Sequence, residues 1–421
     1  MLRNCSEILE IQQIITDYQK GDMLMDKIFI TANNEYTSDN GEYSLNGNPI
    51  LNEKEENIST HEFKQLIKKE TSNFIHKNYN NIIILVGAGA SVVVNDDGLD
   101  VRFGKTVAML ADMINKELKE DSNCFSLQEL ANFCKYNFKV ENEEANINSE
   151  FNLEDFLSDL LSFEKYVPEE DCEKYKLSKN KIFDLIISNT SYDYDGTYLK
   201  HASFINKVAH LVKTPSKLSI VTTNYDTLIE DAADSIGYTV MDGFTFSHRP
   251  HFDSDMFEWN LVKDIENIKT REMEYKKNIV NLLKLHGSLT WERCNDMIYR
   301  KDKRQVENPI MIFPSSNKYM QSYQEPYFEL FVKFQELLKR PNTLLITTGF
   351  SFADNHISQM ILQAIIHNKG MAILVSDYNI NQVNENWIRL QRLMKDNYQI
   401  AFLRATLNSD LVDYLGDYYD D

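Results

Sequence analysis

The sequence predicts an α/β protein, with a Rossmann-like parallel sheet, helices on both faces and an inserted helical module. Short apolar runs rich in β-branched residues recur along the chain, as in strands that are buried on both faces under helices. Several of these runs end in a polar or glycine-containing turn, and a helical pattern follows. From about 120 to 215 the pattern is helical throughout, so we predict that a helical module is inserted between two strands.

The clearest strand, turn and helix begin at Asn81–Ser91, N-I-I-I-L-V-G-A-G-A-S. Gly87 and Gly89 allow a tight turn whose backbone can approach a ligand closely. A helical pattern follows at Gly104–Leu118, and this arrangement is typical of a phosphate-binding turn with N–H groups directed at the anion. The full G-x-G-x-x-G motif is absent because position 92 is valine. The alternative is a tight turn that binds nothing.

Composition limits the class of protein. The 421 residues are 43 % hydrophobic and 26 % charged, as in soluble globular proteins, and they suffice for two to three domains or one large α/β domain with insertions. Lys and Arg number 44 and Asp and Glu number 64, which gives a formal net charge of −20. Such a surface disfavours direct binding to nucleic acid or to an anionic membrane.

The five cysteines are scattered and none forms a C-x-x-C pair. This pattern disfavours a disulfide framework or a four-cysteine zinc site, and it fits a reducing compartment. The N-terminal residues lack the apolar region of a signal peptide, and no apolar run reaches about 18 residues. We therefore expect a soluble, cytoplasmic protein that does not interact with membranes.

We predict three parts of the chain: an N-terminal helical or irregular arm, a Rossmann-like domain with the helical insertion at about 120–215, and a C-terminal extension that packs on the core (1–78, 79–380 and 381–421). In the arm, Ile8–Tyr18 has an amphipathic helical pattern, and Asn33–Ser59 is loop-like or a weak hairpin. The arm would serve as an interaction segment or as a cap on the main domain.

Two further strand ends carry polar residues. The strand Lys217–Thr222 precedes Asn224 and Asp226, and in an open α/β sheet ligands bind at the carboxyl ends of strands. For Asp226 the alternative is a helix N-cap. The strand in Asn278–Ser288 ends at His286 and a glycine; a lone histidine is more often structural, but this position favours a functional role.

The last two strand ends lie later in the chain. The strand Thr343–Thr348 ends in Gly349, Phe350 and Ser351, and the strand Met371–Ser376 is followed by Asp377. Apart from the one before Asp377, four strand ends of one predicted sheet, those at Gly87, Asn224, His286 and Gly349, thus carry glycine, hydroxyl, amide or imidazole groups.

Taken together and in this order, these turns resemble those of the sirtuin family and its sirtuin-like relatives, over roughly residues 80–380. The resemblance implies that NAD is bound as a substrate. The G-A-G-x-S turn would bind its diphosphate and the T-x-N-x-D turn would line the nicotinamide and ribose pocket (Gly87, Ala88, Gly89 and Ser91; Thr223, Asn224, Tyr225 and Asp226). The H-G pair would supply the catalytic imidazole of His286, and the later G-x-S turn would hold the adenosine-side ribose (Gly349, Phe350 and Ser351). We include Asp377 among the residues that contact NAD.

The sequence departs from protein-deacylating sirtuins at two places. Those enzymes carry a zinc ribbon of two C-x-x-C pairs after the H-G motif, whereas Leu289–Ile310 contains only Cys294. We therefore expect no zinc and an incomplete acyl-peptide cleft. The segment Gly98–Phe103 matches the family's G-I-P-D-F-R only in part, so we assign Asp100 and Arg102 no role beyond bracing their loop.

The helical insert around Asn152–Phe163 is similar to that of bacterial sirtuin-like defence proteins. That resemblance implies an NAD glycohydrolase that depletes cellular NAD on phage infection. It also implies a homo-oligomer, a protein partner such as a HerA-type hexameric ATPase, and contact with nucleic acid only through that partner.

A physical mechanism fits the candidate residues. Nicotinamide departs from NAD as a neutral molecule and needs no general acid, while the ribose C1′ becomes oxocarbenium-like. His286 would be the general base, Asn224 would orient the water, and Asp226 would hold the carboxamide. The alternatives are a non-catalytic sensor that binds NAD or ADP-ribose, and an NAD-dependent protein deacylase.

Overall fold

The computed structural model describes residues 26–95, 98–105, 107–136, 151–265, 273–311 and 326–416. The helix predicted at Ile8–Tyr18 and the last five residues of the predicted C-terminal extension, 417–421, lie outside them.

The described strands are β1 (Asp26–Ile30), β2 (Glu35–Asp39), β3 (Glu42–Leu45), β4 (Asn48–Pro49), β5 (Asn81–Val86), β6 (Val94–Asn95), β7 (Gly98–Leu99), β8 (Leu218–Thr222), β9 (Thr239–Met241), β10 (Val262–Asp264), β11 (Met273–Tyr275), β12 (Ile279–Lys284), β13 (Gly287–Ser288), β14 (Trp291–Cys294), β15 (Met297–Arg300), β16 (Ile310–Met311), β17 (Thr343–Thr348), β18 (Ala372–Asp377) and β19 (Ile400–Arg404).

The described α-helices are α1 (Thr60–Ile75), α2 (Val107–Glu120), α3 (Leu127–Phe133), α4 (Leu153–Phe163), α5 (Cys172–Thr190), α6 (His201–Ala209), α7 (Leu228–Ser235), α8 (Tyr327–Lys339), α9 (Asn355–His367), α10 (Glu385–Lys395) and α11 (Val412–Tyr414).

Eleven strands form one mixed sheet in the order β4-β3-β2-β1-β19-β18-β17-β5-β8-β12-β9, with helices on both faces. Strands β5, β17, β18 and β19 run parallel, as do β9 and β12. The predicted α/β class is confirmed. The sheet also has an antiparallel part that the sequence analysis did not predict, because β1 pairs with β19 antiparallel and begins an antiparallel meander through β4.

The meander forms in the segment that the sequence predicted as loop-like or a weak hairpin. The turns between β2 and β3 and between β3 and β4 carry Asn40-Gly41 and Asn46-Gly47, and all four residues have positive φ. Asn-Gly suits a two-residue hairpin turn because both positions need left-handed backbone. The aromatic rings of Tyr43 and Phe63 stack with centroids 4.1 Å apart, so the meander packs on α1.

The described chain divides into two compact units. The first contains residues 26–87, 203–220 and 334–416. Its core is built on β5, β17, β18 and β19, whose residues are almost all fully buried. Near the carboxyl end of the described chain, the ammonium of Lys207 donates to the carbonyl oxygens of Val412 (3.0 Å) and Gly416 (2.7 Å).

The second unit contains the described residues of 88–202 and 221–333. Helices α2 to α5 share one apolar core, formed by residues such as Leu110, Ile114, Leu127, Phe156, Leu160, Tyr175 and Ile182. These helices lie between β7 and β8 in the sequence, so the predicted helical insertion is present, although it begins earlier, at Val107. Asn152 accepts a hydrogen bond from the Asp155 N–H at 3.2 Å, as expected of an N-cap. Among the helices of the described ranges, none has the length and apolar character that crossing a membrane requires.

Candidate functional site

Hydrogen bonds within the second unit join three of the predicted turns. Residues Ala88–Ser91 form a short 3₁₀ turn, and Ser91 Oγ accepts a hydrogen bond from Asn224 Nδ2 at 3.1 Å. The backbone on either side of His286 is tied to the same turn, because Leu285 N donates to Thr222 O (2.9 Å) and Leu289 N donates to Tyr225 O (3.1 Å). The segment that carries His286 is therefore held against residues 222–226.

The carboxylate of Asp226 lies at the centre of this arrangement and is only 5 % exposed. Its Oδ2 accepts hydrogen bonds from Ser91 Oγ (2.8 Å) and Tyr192 OH (3.1 Å), and its Oδ1 accepts from Leu228 N (3.1 Å). The bond to Leu228 is an Asx turn just before α7, whose N-cap residue is Thr227, so Asp226 supports the start of the helix without being its N-cap. A carboxylate has about four acceptor sites, so Oδ1 keeps capacity for a further donor.

The buried side chain of Lys284 supports the turn of residues 222–226. Lys284, at the end of β12, is 1 % exposed, and its ammonium donates to the carbonyl oxygen of Asp226 and to Glu230 Oε1 (2.8 Å). Burial raises the pKa of Glu230, and the charge of Lys284 opposes that rise. Sequence reasoning missed Lys284. The feature that could have found it is a lysine inside an otherwise apolar strand run, because such a charge is rarely buried without a partner.

His286 is 3 % exposed and is followed by a glycine that the backbone requires. Gly287 has φ of +94°, and a Cβ there would overlap the carbonyl oxygen of Ile310. Gly287 pairs with Met311 in the short antiparallel pair β13–β16. Glycine thus lets the chain turn away from His286 and approach β16 closely.

The fourth predicted turn is described within the first unit, where it packs against Gly87. A Cβ on Gly87 would overlap the carbonyl oxygen of Gly349 and lie 2.8 Å from Phe350 Cα. Phe350 is 5 % exposed, whereas Ser351 is exposed, and its carbonyl oxygen accepts a hydrogen bond from Asn384 Nδ2 at 2.9 Å. Within the first unit, Gly87 and the Gly349–Phe350 backbone therefore approach each other closely.

Residues 218–399 match the family model of the SIR2-like domain. The match contains three of the four turns and Asp377, and it supports the resemblance to sirtuin-like proteins over this segment. The Gly87–Ser91 turn and the helical module lie before it in the sequence. No curated protein matches the chain.

Tyr192, which sequence reasoning did not connect to the site, and the loop that contains Asp100 and Arg102 also precede the SIR2-like segment. Gly104 leaves room for Tyr192, because a Cβ there would overlap Ser91 Cβ and lie 2.7 Å from Tyr192 OH. The carboxylate of Asp100 accepts from the Arg102 guanidinium, which lies 4.6 Å from the ring centroid of Tyr198. The pair braces its loop. No local sequence feature marks Tyr192, since the stretch around it contains several tyrosines.

The buried imidazole of His201 begins α6 and is 2 % exposed. Burial lowers the pKa of His201 to about 4, and the negative charge of Asp226 opposes the decrease. Its Nδ1 has no hydrogen-bond partner within the described residues. The ring is therefore neutral in the folded protein at neutral pH.

His201 should make the free energy of unfolding depend on pH. Between pH about 6.5 and 4 the unfolded chain binds a proton at this ring and the folded protein does not, so stability falls as the pH falls. Across this pH range we expect the free energy of unfolding of the wild-type protein to fall by up to about 3 kcal/mol more than that of the His201→Gln variant. Denaturant titrations at pH 7 and pH 4.5 measure it. Equal losses in the two proteins would contradict the assignment.

Asp377, within the SIR2-like segment, is a second buried titratable group. It is 4 % exposed at the end of β18, and burial raises its pKa to about 6, although the N–H of Asn379 donates to its Oδ1 at 3.0 Å. A buried carboxyl group at a strand end with a raised pKa is a candidate for ligand binding.

Neutralising Asp377 should stabilise the protein at neutral pH. The folded protein keeps the proton up to pH about 6, whereas an unfolded chain loses it near 3.8, so stability falls as the pH rises through this window. We expect Asp377→Asn to raise the free energy of unfolding by about 3 kcal/mol at pH 7.5 and to leave it nearly unchanged at pH 3.5. Denaturant unfolding at both pH values checks this, and an equal gain at both would indicate another cause.

In the part of the chain that the structure describes, no group of three or more His, Cys, Asp or Glu side chains is arranged to hold a metal ion. Within the SIR2-like segment, Cys294 is the last residue of β14 and pairs with Met297 in the β14–β15 hairpin.

Proposed function

We propose that the protein is an NAD⁺ glycohydrolase that cleaves the bond between nicotinamide and ribose. The SIR2-like segment supports an NAD-related activity. The observation that carries the proposal is the hydrogen bond between Asn224 and Ser91, which are 133 residues apart, in a turn that is also tied to both sides of His286. An amide, a hydroxyl, a carboxylate and an imidazole thereby come from separate elements to one part of the second unit.

The proposed reaction requires little covalent chemistry from the protein itself. Nicotinamide is a cationic substituent that leaves as a neutral molecule, so the main requirement is to place water beside an oxocarbenium-like ribose carbon. His286 accepts the proton of that water, Asn224 orients it, and Asp226 Oδ1 accepts an N–H of the carboxamide. General base catalysis of this kind contributes roughly 100- to 10,000-fold.

Backbone N–H groups of the turn at Ala88, Gly89 and Ser91 bind the diphosphate in this proposal, and Thr223 and Tyr225 line the nicotinamide side. We retain the sequence prediction that the remaining residues contact NAD; these belong to the first unit (Gly87, Gly349, Phe350, Ser351 and Asp377). Weaker NAD binding by Asp377→Asn at pH 7.5, despite its greater stability, would support that prediction.

The proposed biological role is depletion of NAD in antiphage defence, under the control of an assembly. The low exposure of His286 and Asp226, 3 % and 5 %, supports control, because water and substrate reach such groups only after a rearrangement. The resemblance to sirtuin-like defence proteins points to oligomerisation and to a partner such as a HerA-type ATPase. A monomer that is fully active alone at every concentration would contradict this part of the proposal.

The direct test is release of free nicotinamide. The purified protein is incubated with NAD, alone and with the product of the adjacent gene, and nicotinamide and ADP-ribose are separated by chromatography. We expect nicotinamide and ADP-ribose to form in equal amounts, and we expect both amounts to rise when the product of the adjacent gene is present. Release that requires an acylated peptide would instead identify a deacylase.

A non-catalytic sensor of NAD or ADP-ribose is the second candidate. The three hydrogen bonds that the Asp226 carboxylate already accepts favour it, because a group bound in this way serves to hold the fold as well as to bind a ligand. Calorimetric binding of NAD with no turnover in either incubation would favour the sensor over the hydrolase.

A further inference from the structure

Four side chains of the second unit form one directed chain of hydrogen bonds. Tyr192 OH and Ser91 Oγ both donate to Asp226 Oδ2, at 3.1 Å and 2.8 Å, and Asn224 Nδ2 donates to Ser91 Oγ at 3.1 Å. Every proton in the chain points toward the carboxylate. The bond from Asn224 polarises the Ser91 hydroxyl and strengthens its bond to Asp226, while Tyr192 donates to the same carboxylate oxygen and fixes its position, so the chain depends on each of its members.

The direction of this chain determines which end of the Asn224 amide bonds to Ser91. The Ser91 hydrogen is used on Asp226, so Ser91 Oγ can only accept from Asn224, and an accepting hydroxyl requires the amide nitrogen as its donor. The amide oxygen is then the opposite end of the Asn224 side chain. An oxygen accepts an O–H of water, which is the orientation that the proposed hydrolysis needs.

We propose that Tyr192 is a positioning residue that sets the orientation of the Asn224 amide through Asp226 and Ser91. The inference rests on the proposed function, since it explains how the helical module takes part in that reaction. Tyr192 follows α5, the last long helix of the module, so its hydroxyl connects the module to the Asp226 carboxylate.

The surroundings of Tyr192 hold its hydroxyl in place. The absence of a side chain at Gly104 leaves space for it, and the ammonium of Lys303 donates to the Tyr192 carbonyl oxygen (3.2 Å) and to Asp193 Oδ1 (2.9 Å). Burial and the negative charge of Asp226 both raise the pKa of the phenol. Tyr192 therefore stays protonated and remains a donor.

The test is a double-mutant cycle of Tyr192→Phe and Ser91→Ala, read as kcat and KM for nicotinamide release from NAD. Tyr192→Phe removes only the hydroxyl, and we expect kcat to fall about three- to tenfold with KM unchanged, as for the loss of one hydrogen bond. In the Ser91→Ala background the chain is already cut, so Tyr192→Phe should change kcat less than twofold. Such non-additivity is the property of residues in one network.

Tyr194→Phe is the matched control, because Tyr194 OH donates to the Leu199 carbonyl oxygen and takes no part in the chain. We expect its kcat to equal that of the wild-type protein. If Tyr192→Phe lowers kcat by the same factor with and without Ser91, or leaves kcat unchanged, Tyr192 does not position Asn224 and the inference is overturned.

The proposed function and the inference fail in different ways. Absence of nicotinamide release by the wild-type protein, with and without its partner, would overturn the proposed function alone. The same cycle is then read from midpoints of thermal unfolding, where the double variant should lose less than the sum of the two single losses. Additive losses would overturn the inference.

Discussion

Replacing His286 by alanine is expected to lower the rate of nicotinamide release by roughly 100- to 10,000-fold, the usual contribution of a general base. The reason is that, within the described residues, no other histidine lies in a segment whose backbone is hydrogen-bonded to the turn that carries Asn224 and Asp226. The rate is measured as kcat under the conditions in which the wild-type protein releases nicotinamide. Asn224→Ala should lose turnover similarly, because the water then lacks its orienting group.

Two controls separate chemistry from folding in this experiment. His248→Ala removes an exposed imidazole of the same unit and should leave kcat unchanged. His286 is buried, so thermal unfolding and NAD binding by His286→Ala and His286→Gln must show that a folded protein is being assayed. If both His286 variants and Asn224→Ala keep wild-type turnover, the proposed mechanism is wrong.

Replacing Gly287 by alanine should be the most destabilising single-methyl change near the site. The backbone is at φ +94°, which costs a residue with a side chain about 1–3 kcal/mol. The added methyl would also overlap the Ile310 carbonyl oxygen, and overpacking against backbone costs about 1–3 kcal/mol more. We expect a loss of about 3–5 kcal/mol in the free energy of unfolding, measured by denaturant titration.

Gly237→Ala isolates the backbone contribution to this loss. Gly237 also has positive φ, +74°, but a methyl there would meet no atom within 4 Å. Its substitution should cost only about 1–2 kcal/mol. Equal losses at the two glycines would show that the close approach of β13 and β16 contributes nothing.

The sequence was a good guide to the strands of the central sheet and a poor one to the antiparallel arm. Strands β5, β8, β12, β17 and β18 were found within a residue or two at their starts, because strands buried on both faces are short apolar runs. The arm was predicted as loop-like or a weak hairpin since it is rich in Asn, Gly, Ser and Thr. Its two Asn-Gly pairs were the available indication of a meander.

By itself the sequence determined where the polar strand ends lie, because alternation of strand, turn and helix is a local property of the chain. It could not determine what those side chains contact. Asp226 receives hydrogen bonds from Ser91, 135 residues before it, and from Tyr192, 34 residues before it. Such partners depend on how distant elements pack together. Only the tertiary structure therefore showed that Tyr192 binds the Asp226 carboxylate and that Lys284 binds the Asp226 carbonyl oxygen.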